Sequence, residues 1–346
     1  MRNALWMAIV MAAATRLSAT TYNMPAATGN ATTDSAAIAA AITACSTSTP
    51  CEIYFRNGTY LVNQTFTLTS PVLIKGESSI ATVIEATGFP SGNAIFDFRC
   101  TNLARCENVQ LRNIQFKSDN AFADGVSLTW VFDSVFDNVY FFNLNNGLIC
   151  AANAFSNTYS NNWSFNITGA TYLLIDECSN SRIVGGRIGS SSYGIEVRGN
   201  LSGLVVDGTD CEDIKTHGSC IYLRPGSGKK VTSVRISNMH TECLRGPAIN
   251  LEGSDADSVE ALTIQDNYLD GGSSTCTTGS YASYAILLRN VKSFNVANNY
   301  IYDWHTNAIF RNATESYGSV TENSLNGLAL AGPTLLGATV NLRNNN

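Results

Sequence analysis

"LVVDGTDCE" (204–212), "VRISNMHTE" (234–242), "LTIQDNYLD" (262–270) and "FNVANNYIY" (294–302) are four versions of one phrase. Each alternates apolar and polar residues, breaks at Gly, Asn or Asp, and resumes in a second short run. Alternation with period two between turn-formers specifies short strands with one buried face. "VQLRNIQF" from Val109 and "SVFDNVYF" from Ser134 carry the same pattern earlier in the chain.

A second run recurs in step with the first. It reads "GVSL" (Val126, Leu128), "GLIC" (Leu148, Cys150), "YLLI" (Leu173, Ile175), "GIEV" (Ile195, Val197), "CIYL" (Ile221, Leu223), "AINL" (Ile249, Leu251), "AILL" (Ile286, Leu288) and "AIF" (Ile309). Its first apolar positions lie 22, 25, 22, 26, 28, 37 and 23 residues apart. Self-similarity at this period marks a solenoid, in which no single turn buries its own apolar face. Leucine-rich repeats need a denser Leu/Asn consensus, and propeller blades need longer repeats of four strands. The expected fold is all-β, a right-handed parallel β-helix of roughly nine to ten coils. Val, Ile, Leu and Phe columns stack inside it about 4.8 Å apart. The turn residues Asn113, Asn138, Asn238 and Asn298 are expected to stack as a hydrogen-bonded ladder.

The start of the chain reads as a secretory signal: Arg2, an apolar run over 4–14, and small residues at Ser18 and Ala19. That run suits a signal peptide and is too short to span a bilayer, so residues 1–19 are expected to be removed and no membrane insertion follows. Residues 20–346 then form one β-helix domain, with a helical cap at about 33–44, coils over about 52–327 and a C-terminal cap over 328–346. "TTDSAAIAAAITAC" supplies the cap, with Thr33 or Asp34 at its N-terminus. Ten cysteines fit export. Cys45/Cys51, Cys100/Cys106 and Cys211/Cys220 are spaced as local staples; Cys150/Cys178 and Cys243/Cys276 could join neighbouring rungs. Zinc is disfavoured, since there is no C-x-x-C and only three histidines. Seven N-x-[ST] sequons, at Asn30, Asn57, Asn63, Asn162, Asn166, Asn200 and Asn312, point to surface positions open to glycosylation. The formal charge is −6 and no basic cluster exceeds Lys229-Lys230, so no nucleic-acid partner is expected.

The block from Thr32 to Ser79, "TTDSAAIAAAITACSTSTPCEIYFRNGTYLVNQTFTLTSPVLIKGESS", resembles the opening of the pectate-lyase-like β-helix superfamily, in its rhamnogalacturonase/epimerase-like branch. Asp34, Ile38 and Ile42 match the family's capping helix. Phe55, Gly58, Thr59 and Tyr60 match its F-P-x-G-x-Y turn, with Arg56 in place of the proline, and Lys75-Gly76 match its closing turn. The resemblance implies the fold and a polysaccharide partner. It does not imply one chemistry, because the superfamily spans lyases, hydrolases, epimerases and tailspikes. The hydrolase signatures N-T-D, D-D, G-H-G and R-I-K are missing ("THGS" at 216–219 lacks the first glycine), as is the epimerase D-P-H. No catalytic residue carries over.

The repeat register offers a site instead. Aligned strands place Arg187, Asp210, His240, Tyr268 and Tyr300 at one position of consecutive rungs. Two residues later, on the same outward face, come Gly189, Glu212, Glu242, Asp270 and Tyr302. Stacked carboxylates cannot all ionise freely, so one is expected to rise toward the range of a general acid. Asp210, Glu212, His240 and Glu242 are the expected catalytic residues; Arg187, Arg245, Tyr268, Asp270 and Tyr300 are expected to bind substrate. Hydrolysis fits carboxyl pairs at these spacings. Elimination from a uronan fits His240 and Tyr268 as base and acid, with Arg187, Arg245 or a Ca²⁺ ion on Glu212, Glu242 and Asp270 neutralising the uronate. His217 lies on an adjoining turn, and Trp130, Trp163 and Trp304 could stack on sugar rings as readily as pack. A second charged column, Asp176, Arg198, Arg224, Glu252 and Arg289, reads as a solvated salt-bridge ladder. A secreted enzyme cleaving a cell-wall or matrix polysaccharide is the leading expectation, a uronan lyase slightly ahead of a glycoside hydrolase. A non-catalytic glycan-binding module and a structural or adhesive protein are the alternatives.

Overall fold

The computed structural model describes residues 20–47, 50–215, 217–255, 258–272, 276, 284–304, 307–312, 317–326, 329–331 and 340–343. The signal segment 1–19, His305, and most of the expected C-terminal cap lie outside the described residues. The molecule is a right-handed parallel β-helix closed at one end by the helix Ala31–Ser46. Asn30, rather than Thr33 or Asp34, caps that helix, its side chain accepting from the Thr33 amide at 3.0 Å. Asp34 is 2% exposed and is spent elsewhere, accepting from the Thr28 and Leu61 amides and so tying the helix to the first rung. Ile38, Ala41 and Cys45 bury the helix's inner face against the opening strands.

Each turn contributes strands to three parallel sheets. Strands of the first sheet include Val205–Asp207, Val231–Ser237 and Val259–Gln265, which pair in register. The second sheet, one tight turn later, includes Arg187 to Ser191, Asp210–Glu212, His240–Glu242, Tyr268–Asp270 and Tyr300–Tyr302. The third carries the "GIEV"-type runs, with Ile195↔Ile221, Ile221↔Ile249 and Ile249↔Ile286 as partners. One step of the sequence ruler is corrected. Leu148 and Cys150 pair with Tyr172 and Leu174, so Tyr172 and Leu174 face inward while Ile175 is exposed. In "TYLLI" both faces are apolar, and alternation alone cannot choose between frames one residue apart. The stack also begins earlier than the rhythm from Val109, with Cys51–Phe55 pairing with Leu73–Gly76 and that strand pairing with 110–112.

The turn between first and second sheets explains its own letters. Asn113, Asn138, Asn161, Asn238, Asp266 and Asn298 all have φ between 53° and 59°, a left-handed conformation that Asn and Asp tolerate and branched residues resist. Asn113 and Asn138 bond each other as expected, through Nδ2 and Oδ1 at 2.8 Å. The buried ladder, however, is formed one residue later. Asn267 Nδ2 donates to Asn299 Oδ1 (2.8 Å), and Asn299 Nδ2 donates to Asn323 Oδ1 (2.9 Å), with all three almost wholly buried. Inside, aromatic rings stack rung on rung: Phe66, Phe96, Phe116 and Phe141 meet at 5.4–6.1 Å between ring centres.

The five expected cysteine pairs are all joined, leaving no free cysteine among the described residues. One sequon is corrected. Asn162 is 3% exposed, its Oδ1 accepting from the Val139 amide (2.8 Å) and its Nδ2 donating to the Phe136 carbonyl (3.1 Å). A glycan on Nδ2 would have to cross the core. Peptide mapping of protein from a glycosylating host should therefore find Asn162 unmodified, whereas Asn57 and Asn63 are exposed. Substantial occupancy at Asn162 would contradict its burial.

Candidate active site

The register piles the expected residues in one outward line. Arg187 pairs with Asp210, Asp210 with His240, His240 with Tyr268 and Tyr268 with Tyr300. In the parallel line two residues on, Gly189 pairs with Glu212 and Glu212 with Glu242, and Asp270 with Tyr302. The side chains are half-exposed and touch. His240 and Tyr268 have ring centres 5.2 Å apart, Tyr268 and Tyr300 5.1 Å at 15°. Nδ1 of His240 lies 3.8 Å from Oδ1 of Asp210. Arg245 stands apart: it lies in the turn beyond Glu242, outside the stacked line. His217 is exposed in the preceding turn, at φ 66°.

Charges along the line are not evenly available. Arg187 is bound by Glu212, and that hydrogen bond is the largest cause of the guanidinium's raised pKa. Arg187, one of the cations expected to hold a uronate, is thus already neutralised. Among the described residues the line carries four carboxylates, Asp210, Glu212, Glu242 and Asp270, and one guanidinium, Arg187, so the face is net acidic. Asp270 is partly buried. Partial burial pushes its pKa up, the Gly272 amide bonded to its Oδ1 at 2.8 Å works against this, and the charges of Asp303 and Glu242 add to the rise. The expected raised carboxyl exists, and burial rather than stacked charge is its main cause. The calcium cage is not formed. Among the described residues no three His, Cys, Asp or Glu side chains converge as metal ligands, because Glu212 turns to Arg187 and Asp270 turns to Gly272.

The same line runs on past Arg187 to Trp163 and Tyr140, and past Gly189 to Phe165 and Phe142. Of the three tryptophans singled out, Trp304 is buried and donates to the Leu269 carbonyl, and Trp130 is packed against the core. Trp163 is 52% exposed and Phe165 47%. Nothing in "NWSFN" distinguishes an outward aromatic from a packed one, so the letters leave Trp163 open to either role and give no sign of Phe165.

On the third sheet the second charged column is less solvated than expected. Glu196 is 1% exposed and binds both Arg198, at 2.9 Å, and Arg224. Arg224 lies over the rings of Tyr193 and Tyr222, which stack at 5.3 Å. Tyr222 donates to Glu252, which also accepts from Arg289 at 3.0 Å. Burial, then the bond to Glu252, pushes the Tyr222 phenol up. Glu196 was missed, although "GIEVR" puts it on the same outward face as Arg198.

Residues 18–131, the N-terminal third, match the family described as rhamnogalacturonase A/epimerase, pectate lyase-like. The mannuronan C-5 epimerase AlgE6 A-module of Azotobacter vinelandii superposes with a TM-score of 0.66 at 14% identity, over 90% of this chain and 94% of that one. The fold is a right-handed parallel β-helix, and its N-terminal third is similar to that family. This β-helix also superposes on the DFA-IIIase from Arthrobacter chlorophenolicus A6 without its lid, with TM-score 0.62, 14% identity and 95% and 94% coverage. The catalytic domain of a GH87 alpha-1,3-glucanase in complex with tetrasaccharides gives TM-score 0.54 and 11% identity, over 85% of this chain and 64% of that one. No curated protein matches by sequence. At such identities the likeness is one of fold, and function has to be argued from the site.

Proposed function

We propose that this protein is an extracellular polysaccharide-processing enzyme that hydrolyses a neutral glycan laid along the second sheet. One observation carries the reading: Asp270, its pKa raised by partial burial and further by the charge of Glu242, follows the paired Tyr268 and Leu269 in a stacked line that ends in exposed aromatic rings. Asp270 protonates the leaving oxygen, and Glu242 one rung below acts as nucleophile or base. His240, against Tyr268 and near Asp210, orients a sugar hydroxyl. The five disulfides support an extracellular setting. A net acidic face repels a polyuronate, which weighs against elimination here.

A second reading has its own observation. Arg198 and Arg224 share the one carboxylate of Glu196 on the third sheet, which leaves a net positive charge beside the protonated Tyr222 phenol bonded to Glu252, a grouping suited to a carboxylated glycan and to proton donation. Incubation with neutral glucans, xylan and uronans separates the two. New reducing ends from a neutral glycan support hydrolysis; an unsaturated, ultraviolet-absorbing product from a uronan, lost in Tyr222→Phe, supports elimination. Retention on glycan without turnover would leave a binding module.

The hydrolytic reading fixes a pH response. Asp270 must be protonated to act, so activity falls as pH rises through its raised pKa. Asp303→Asn removes a charge that helps hold that pKa up, and asparagine tolerates the left-handed backbone there (φ 57°). The alkaline limb of the rate profile should move to lower pH in this variant. A limb that stays put or moves upward would rule Asp270 out as the acid.

A further inference from the structure

The line of outward side chains is interrupted once, at Gly189, between Phe165 on one rung and Glu212 on the next. Its backbone does not call for glycine: it lies in the strand Arg187–Val197 and is not among the left-handed glycines. A Cβ there would stand 3.3 Å from the Phe165 ring. What the glycine supplies is therefore space. The gap opens a recess of about 260 Å³ lined by Tyr140, Trp163, Phe165, Arg187, Glu212 and their neighbours. That is below the size of a pocket for a drug-sized molecule, and suits one sugar ring rather than several.

The lining states what it would accept. Trp163 and Phe165 keep about half their surface in water, a cost that falls when the apolar C–H face of a pyranose covers them. Arg187 and Glu212 are already paired, so together they present donors and acceptors with no net charge. Such a pair bonds hydroxyls and gains nothing from a carboxylate. Asp213 at the rim adds a further acceptor and a negative charge.

We infer that the Gly189 recess is a subsite for one neutral pyranose ring of a polysaccharide, distant from the bond cleaved. This rests on the proposed second-sheet site and names its substrate class. Three rungs, roughly 14 Å, separate Arg187 from the rung of Tyr268 and Asp270, so only a glycan spanning several sugars engages both.

The test reads binding and turnover separately. Affinity electrophoresis in gels containing laminarin, hydroxyethylcellulose, xylan, dextran or polygalacturonate compares wild type with Gly189→Leu, which fills the recess, and Trp163→Ala, which removes its wall. At least one neutral glycan should retard the wild type, with affinity reduced about tenfold or more in both variants at unchanged melting temperature. Polygalacturonate should retard none of them. Undiminished binding in both variants, preference for polygalacturonate, or no retardation by any neutral glycan would overturn the subsite. Asp270→Asn keeps this arm independent. If it stays active while Gly189→Leu loses binding, the subsite stands and the hydrolytic assignment falls; if it is inactive while Gly189→Leu binds normally, the reverse holds.

Discussion

Asp270→Asn is expected to lower turnover by roughly 10²–10⁴-fold, the usual contribution of a positioned general acid. The asparagine oxygen can still accept from the Gly272 amide, so the turn after the strand keeps its anchor and the melting temperature should hardly move. Glu242→Gln should cause a loss of similar size, since the two side chains act as one unit and their effects do not add. Glu212→Gln should lower turnover much less, because Glu212 is engaged by Arg187 in the recess, away from the bond cleaved. Initial rates on the best neutral glycan, with thermal melts of each variant, check this order. Full activity in both Asp270→Asn and Glu242→Gln would remove the site from the second sheet.

The largest stability effect is expected from Asn299→Ala. Asn299 accepts from the amide and the side chain of Asn267 and donates to Ile264, Ala297 and Asn323, all in a buried stack. Truncation leaves several of those groups without partners and away from water, at about 1–3 kcal/mol each before relaxation. A net loss of about 3–5 kcal/mol is the expected result. The adjacent Asn298→Ala should cost only about 1–2 kcal/mol, the penalty of a left-handed alanine, since φ there is 57°. Denaturant unfolding at constant m-value compares the two. Equal losses would mean that the ladder bears little of the fold's stability.

That contrast also shows what the sequence could and could not convey. Strand periodicity and repeat length give the coil directly, because a two-residue period and a turn every two dozen residues have few other solutions. The turn asparagines were recognised, yet the buried ladder sits one position further on. Asn298 and Asn299 look alike as letters, and only backbone handedness separates the turn residue from the stacked one. The same ambiguity moved the inward frame of "TYLLI" from Leu173 to Tyr172. For the site, vertical alignment followed from register, so Asp210, His240, Tyr268 and Tyr300 line up as read. Rotamer choice did not follow: that Glu212 closes on Arg187, that Asp270 is the partly buried acid, and that Glu196 gathers two arginines depend on side-chain packing that no spacing rule encodes.

The most direct measurement is a crystal structure of the Glu242→Gln variant with a neutral oligosaccharide long enough to cross several rungs. The account predicts sugar rings running along the stack, one in the Gly189 recess against Trp163 and a glycosidic oxygen within hydrogen-bond reach of Asp270. Sugar density over Arg198, Arg224 and Tyr222 on the third sheet, with the second sheet bare, would contradict it.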